Sequence, residues 1–457
     1  MVAQLLEEIR DEATNLLSEL LKIDTTNPPG NETAAAKFLS NYLEEAGLKC
    51  EIIESAPGRG SIITRIKGKG KAPSLLLLSH LDVVPAIEKE WTVPPFAGTV
   101  KDGYVWGRGA VDCKLLVADE ALVMKLLKNE GSKPEGDIIF AATADEEKGG
   151  KYGVEWLVNN CAHKIKADYV INEGAGYSYP TKSKHVFTVQ TAEKGVNWLR
   201  IKSKGRPGHG SIPGAADNAV LRMAKVAQTL GTYRSKIRVV PTVKQMIQGL
   251  AQHQSIPSQL SSSLLTNPQL ADKILDNMAK KDSASAEYFR ATLRNTIAPT
   301  IIKGGIKENI IPSECEAAFD CRILPGETSE SLLREIKRAL SAAKIEMDKL
   351  EFEFTQTGES SESEMNTPLY AKIRETLKKL EPKSEVVPFM TTGGTDSRFL
   401  RKLGSICYGF RPVKTDMPLD TFLRLTHGID ERVSTDNLVF GTSILYELVK
   451  DFSFQNS

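Results

Sequence analysis

The sequence lacks an excess of charge of either sign. Lysine and arginine number 59, aspartate and glutamate 58, and the formal net charge is +1. That argues against partners recruited by bulk electrostatics, such as nucleic acid or an anionic membrane surface. Long apolar runs are also missing, and no stretch approaches the roughly 20 residues needed to span a bilayer. The N-terminal stretch "MVAQLLEEIRDEATNLLSELLKID" places acidic residues between apolar ones at helical spacing. It has neither the basic start nor the unbroken apolar run of a signal peptide, and the expected location is cytoplasmic. Cys50, Cys113, Cys161, Cys315, Cys321 and Cys407 form no CxxC pair and read as reduced thiols, mostly in the core. Internal repeats are absent, and the one biased tract is "GESSESE". Gly149 and Gly150 are not followed by GxxxxGK[ST], so they read as a turn rather than a phosphate cradle.

What is present is ordinary globular composition, 41% hydrophobic and 26% charged, over 457 residues. That length suits two to three domains of roughly 100–200 residues. A helix is expected over about 3–23, stopped by "TTNPPGNE", and a second over about 32–47. "KCEIIES" and "GSIITRIKG" read as strands. "SLLLLSHLDVV", "GDIIFAATA" and "ADYVINEG" are near-continuous apolar runs, the mark of central strands covered on both faces. Helical segments such as "VADEALVMKLLKNEG" and "GVEWLVNN" alternate with them, which predicts an α/β fold with a mainly parallel sheet. Near residue 193 the pattern changes to the alternating "NWLRIKSKG", the turn "GRPGHGSIPG" and a further helix. The reading is a discontinuous larger domain, 1–193 and 358–457, with a smaller domain inserted at 194–357. The insertion carries a polar, helical segment at about 240–300.

Open α/β sheets bind ligands beyond the carboxyl ends of their strands. Here those ends carry His80 and Asp82, then Glu146 and Glu147, then Asn172 and Glu173. Asp112 stands in a loop before a helix, and "RLTHGIDERV" supplies His427. Imidazole and carboxylate together suit a divalent transition metal, zinc especially. Two histidines with three carboxylates fit two ions about 3.5–4 Å apart, bridged by one carboxylate. Each residue alone has a plainer reading. A histidine after an apolar strand is more often structural, "DEE" at a strand end more often a solvated helix start, and "NEG" a turn. Their joint occurrence at successive strand ends favours metal, whose positive charge makes the crowding of Asp145, Glu146 and Glu147 tolerable.

"SHLDVVP", "WGRGAVDCK", "ADEEKGG", "NEG", "GRPGHGSIP", "DCRILPG", "GGTDSRFL" and the late "HG" follow one another as in the M20 metallopeptidase superfamily, which the chain resembles over about 80–430. That group includes acetylornithine deacetylases, succinyl-diaminopimelate desuccinylases, aminoacylases and glutamate carboxypeptidases. The resemblance implies an amidohydrolase with two divalent ions per subunit, zinc in the first place and cobalt or manganese as alternatives. It also implies an inserted lid domain that forms a homodimer. By position, His80 and Glu173 resemble the ligands of one ion, Glu147 and His427 those of the other, and Asp112 the bridge. Asp82 resembles the carboxylate that fixes the His80 tautomer, and Glu146 the general base. Cys113 departs from the residues usual after the bridging aspartate and is taken as non-ligating, with a cis peptide expected between Asp112 and Cys113. His209 resembles a residue that reaches the partner subunit's active site and serves the oxyanion. Asn309 resembles a second lid residue at the substrate. Arg322 and the loop around Gly394 are expected to receive a substrate carboxylate. Turn or surface roles are the plainer readings for these four.

The implied substrate is a small N-acyl amino acid or a short peptide, so deacylase and carboxypeptidase or dipeptidase readings stand side by side. A non-catalytic metal-binding scaffold would be expected to lack Glu146 or a ligand. A dinuclear phosphoesterase would ask for more His and Asp ligands than six histidines comfortably supply.

Overall fold

The computed structural model describes residues 2–181, 184–252 and 263–454. They form two units: Met1–Thr191 with Ser363–Phe389 and Thr395–Ser457, and Ala192–Glu362 with Met390–Gly394. The short piece Met390–Gly394 thus groups with the second unit, although its neighbours in sequence on both sides belong to the first.

The first unit is built on the apolar runs. Leu75–His80, Ile138–Thr143 and Tyr169–Asn172 are buried at every position. Leu75–His80 lies parallel to both of the others, and Ile406–Gly409 extends the parallel set beyond Tyr169–Asn172. Gly60–Ile66 joins antiparallel to Ile138–Thr143 and carries Cys50–Glu54 on its far side, while His185–Glu193 closes antiparallel on Ile406–Gly409. The sheet is therefore mixed, parallel at its centre, in an α/β unit.

Successive side chains of a strand point to opposite faces, and Leu75–Leu78 divide accordingly. Leu75 and Leu77 pack with the helices Val2–Lys22, Lys114–Asn129 and Thr435–Ser453. Leu76 and Leu78 pack with Val154–Ile165 and Ser397–Lys402. Two-sided burial leaves only the strand ends for polar chemistry. The chain-terminal helix starts where Ser434 accepts the backbone N–H of Asn437, a side-chain cap.

The second unit is an antiparallel sheet in the order Thr296–Gly304, Glu314–Ile323, Gly195–Lys204, Leu350–Thr357. Its buried face, with Leu199, Ile201, Ala317 and Phe319, packs on Ala219–Thr232 and Ser329–Ala342. In the segment read as helical stand Pro241–Ala251, Ala271–Ala279 and Ser283–Thr292, while 253–262 lie outside the described residues. From Thr296 that segment is strand instead of helix. The strand Thr296–Gly304 is an edge and exposes Ile301 and Ile302 at 51% and 55%. Among the described residues, no helix is long and apolar enough to cross a membrane.

Candidate metal centre

Five side chains of the first unit converge at the carboxyl ends of its central strands. His80 is the last residue of Leu75–His80. Glu147 follows Ile138–Thr143 in a single 3-10 turn whose entry, Asp145, is left-handed at φ 71. Glu173 directly follows Tyr169–Asn172. Asp112 precedes the helix Lys114–Asn129, and His427 follows Leu419–Leu425 with φ 59.

His80 Nε2 lies 3.1 Å from Asp112 Oδ1 and 3.9 Å from Glu173 Oε1. His427 Nε2 lies 3.3 Å from Asp112 Oδ2 and 3.1 Å from Glu147 Oε1. The donors thus form two groups, His80–Asp112–Glu173 and Asp112–Glu147–His427, each with its ligand atoms within 4.8 Å of one another. Asp112 belongs to both, one oxygen toward each imidazole. Cys113 lies in the first group as well. Its sulfur accepts the backbone N–H of His80 at 3.3 Å and its thiol faces the His80 carbonyl at 3.5 Å. Burial pushes that thiol up to about 12. The Asp112–Cys113 peptide is cis.

The electrostatics describe a site short of positive charge. Burial, then Asp112, raises Glu173 to about 8. Burial, then Glu173, raises Glu146 well above the usual carboxylate range. Burial also raises Glu147, against the pull of its His427 hydrogen bond. Hydrogen bonds to Asp112 and Glu147 lift His427 to about 10. Burial opposes a charged His80, yet Cys113, then Asp112 and Asp82, hold its pKa well above normal. Burial likewise works against a charged Asp112, and the two imidazoles outweigh it and lower its pKa. Carboxylates that crowd until they must share protons, with imidazoles aimed among them, fit divalent cations.

Nδ1 of His80 meets the backbone carbonyl of Asp82 at 2.9 Å, while the Asp82 carboxylate is farther at 3.4 Å. A carbonyl only accepts, so Nδ1 carries a proton, and Nε2, which faces Asp112 and Glu173, is the nitrogen left to meet an ion. The Asp82 carboxylate, expected to fix this tautomer, faces Nδ1 at 3.4 Å and also accepts the backbone N–H groups of Glu146 at 3.0 Å and Glu147 at 3.1 Å.

Sequence reasoning missed several residues. Glu431, buried, takes Arg108 Nη1 and Gly109 N on Oε2, and Val111 N and Asp112 N on Oε1. It fixes the loop that presents Asp112. Its only signal was its place four residues beyond His427. Asp145, at the entry of the turn that carries Glu146 and Glu147, is 3% exposed and pairs with Arg59 at 2.7 Å. Asn27 bonds Asp82 and Asp145.

The other expected residues belong to the second unit. His209 is exposed, with Nδ1 2.7 Å from Ser211 Oγ. Its two-residue strand pairs with Ile310–Ile311, and Gly210 N donates to Asn309 O at 2.8 Å, so the structure brings His209 and Asn309 side by side. Arg322 is engaged bidentately by Asp320, at 2.6 and 2.9 Å. Gly394 ends the piece Met390–Gly394.

The two donor groups at the strand ends are suited to a pair of divalent cations. Residues 76–451 match Peptidase family M20/M25/M40, and the chain belongs to that family. It is 28% identical over 447 residues to Aminoacylase-1 of Sus scrofa, covering 96% of this chain and 94% of that protein. It is 27% identical over 466 residues to the N-fatty-acyl-amino acid synthase/hydrolase PM20D1 of Mus musculus, covering 98% and 89%. Its fold is similar to the M20 family metallo-carboxypeptidase Sso-CP2 from Sulfolobus solfataricus, with TM-score 0.74, 19% identity and 96% and 99% of the two chains covered.

Proposed function

We propose that this enzyme hydrolyses the amide bond of N-acyl amino acids, using two divalent ions and Glu146 as general base. The observation that carries the reading is Asp112, with one carboxylate oxygen 3.1 Å from His80 and the other 3.3 Å from His427. His80, Asp112 and Glu173 would hold one ion, and Asp112, Glu147 and His427 the other, with Cys113 outside the ligand set as a neutral thiol. Imidazole and carboxylate donors favour zinc, with cobalt or manganese as substitutes. Bound there, the ions supply Lewis acidity toward the carbonyl and acidify an attacking water.

Glu146 takes the proton of that water and returns it to the leaving nitrogen. Glu146 is absent from both donor groups, which leaves its carboxylate available for that transfer. Glu147 is committed to metal. Asp82 anchors the turn that carries both glutamates.

His209, Asn309, Arg322 and Gly394 are proposed as substrate-side residues on the strength of their motifs. Arg322 would exchange Asp320 for a substrate carboxylate. The exposed edge strand Thr296–Gly304, with Ile301 and Ile302 open, supports a homodimer formed through the second unit. The similarity to Aminoacylase-1 favours acyl amino acids. A dipeptidase or carboxypeptidase acting on short peptides would use the same groups. The test is a screen of metal-loaded protein against N-acetyl and longer N-acyl amino acids, N-succinyl-diaminopimelate and a dipeptide panel. Hydrolysis confined to dipeptides would select the second reading. No hydrolysis of any of them would overturn both.

A further inference from the structure

A buried polar chain leads away from the metal-binding side chains. Arg59, 6% exposed, places Nη2 2.7 Å from both Glu32 Oε1 and Asp145 Oδ1. Its Nη1 donates to the Pro29 carbonyl at 2.7 Å and to Asn27 Oδ1 at 3.2 Å. Asn27, 4% exposed, spends both amide protons on carboxylates, Asp82 Oδ2 at 2.8 Å and Asp145 Oδ1 at 3.0 Å. Asp145 Oδ2 accepts the backbone N–H of Tyr152 at 2.8 Å.

Of three carboxylates, Glu32 and Asp145 share one buried guanidinium, and Asp82 joins them through Asn27. Two of them would repel across the space that Asn27 fills. A neutral amide with two donors is what that space requires, since an aspartate there would add a fourth negative charge and no donor. The guanidinium in turn orients the amide by holding its oxygen, so Nδ2 must face the two aspartates. At the far end Asp82 touches both halves of the site. Its carbonyl holds the His80 imidazole, and its carboxylate holds the backbone of Glu146 and Glu147.

We propose that Asn27 and Arg59 are positioning residues for the hydrolysis: acting through Asp82, they set His80 and the Glu146–Glu147 turn relative to each other. Neither touches a metal-facing atom. A shift of Asp82 moves a ligand of one ion, a ligand of the other and the base together. The inference rests on the metal-dependent reading given above.

The test compares Asn27→Ala and Arg59→Lys with wild type, at a temperature where circular dichroism shows each variant folded. Arg59→Lys keeps the charge but replaces a planar fork serving four acceptors with a point charge. Zinc affinity is read by competition with a chelating dye, and kcat and KM are read at saturating zinc. Loss of an outer partner of metal ligands typically costs about 10–100-fold in affinity or activity. Both variants should show such a loss in zinc affinity and in kcat, with KM changed by no more than about twofold, because the interaction lost does not bind substrate. A folded variant with wild-type zinc affinity and kcat overturns the proposal. So does failure of both variants to fold, which would make the chain of bonds a folding element. Wild-type protein that neither binds zinc nor hydrolyses amides would overturn the function reading itself, a separate result.

Discussion

Glu431 Oε1 accepts the backbone N–H of Asp112 at 2.8 Å, across 319 positions of sequence. The same carboxylate pairs with buried Arg108 at 2.8 Å. Removing one partner of a buried ion pair leaves the other charge uncompensated, at a cost of about 3–5 kcal/mol. Glu431→Ala should lose stability on that scale in urea unfolding, and its metal content should fall because Asp112 loses its mount. A variant as stable as wild type would show that the loop holds its shape unaided.

Glu146→Gln keeps the shape of the base and removes its proton affinity. General-base loss is worth about 10²–10⁴-fold in rate, so kcat should fall by that factor. Metal content by elemental analysis should match wild type, since Glu146 is absent from both donor groups. Metal loss in parallel with activity would mean that Glu146 is a ligand.

His209 allows a test that separates chains. If His209 serves the partner's site, co-expressed His209→Ala and Glu146→Gln chains form heterodimers with one intact site. Random pairing of two such chains, each inactive alone, should restore about a quarter of wild-type activity. No recovery in a mixture shown to contain heterodimers would place His209 in its own subunit's site or outside catalysis.

Lys194 sets a pH dependence in the second unit. It is 1% exposed and donates to the carbonyls of Ala291 and Arg294. Burial, then the Arg322 guanidinium, lowers its pKa from 10.5 to about 7. The unfolded chain therefore binds more protons between pH 7 and 10.5, so this group's contribution makes stability rise with pH across that window. Its full penalty is present below about pH 7. The difference between wild type and Lys194→Met in urea unfolding should shift in favour of wild type as pH rises from 7. A difference independent of pH would mean that Lys194 titrates normally.

Three of the candidate ligands were legible because each stands where a local pattern stops. His80, Glu147 and Glu173 follow apolar runs that can only be buried strands, and a polar group there has no neutral explanation once several coincide. The α/β class was legible for the same reason. The antiparallel flanks of the sheet were not, because strand direction depends on which chain segment arrives from elsewhere. Asn27, Arg59 and Glu431 stayed hidden because their partners lie far away in sequence. "TTNPPGNE" reads as a helix stop, and nothing local says that its asparagine meets Asp82 across 55 positions. The Arg59 partner of Asp145 stayed hidden for the same reason.

The order of the donors along the chain has a consequence during synthesis. Four of the five leave the ribosome before the second unit does, and His427 follows Glu147 by 280 positions. A nascent chain thus carries four of the candidate donors through the synthesis of the whole second unit. The group Asp112–Glu147–His427 can close only after that unit has been made.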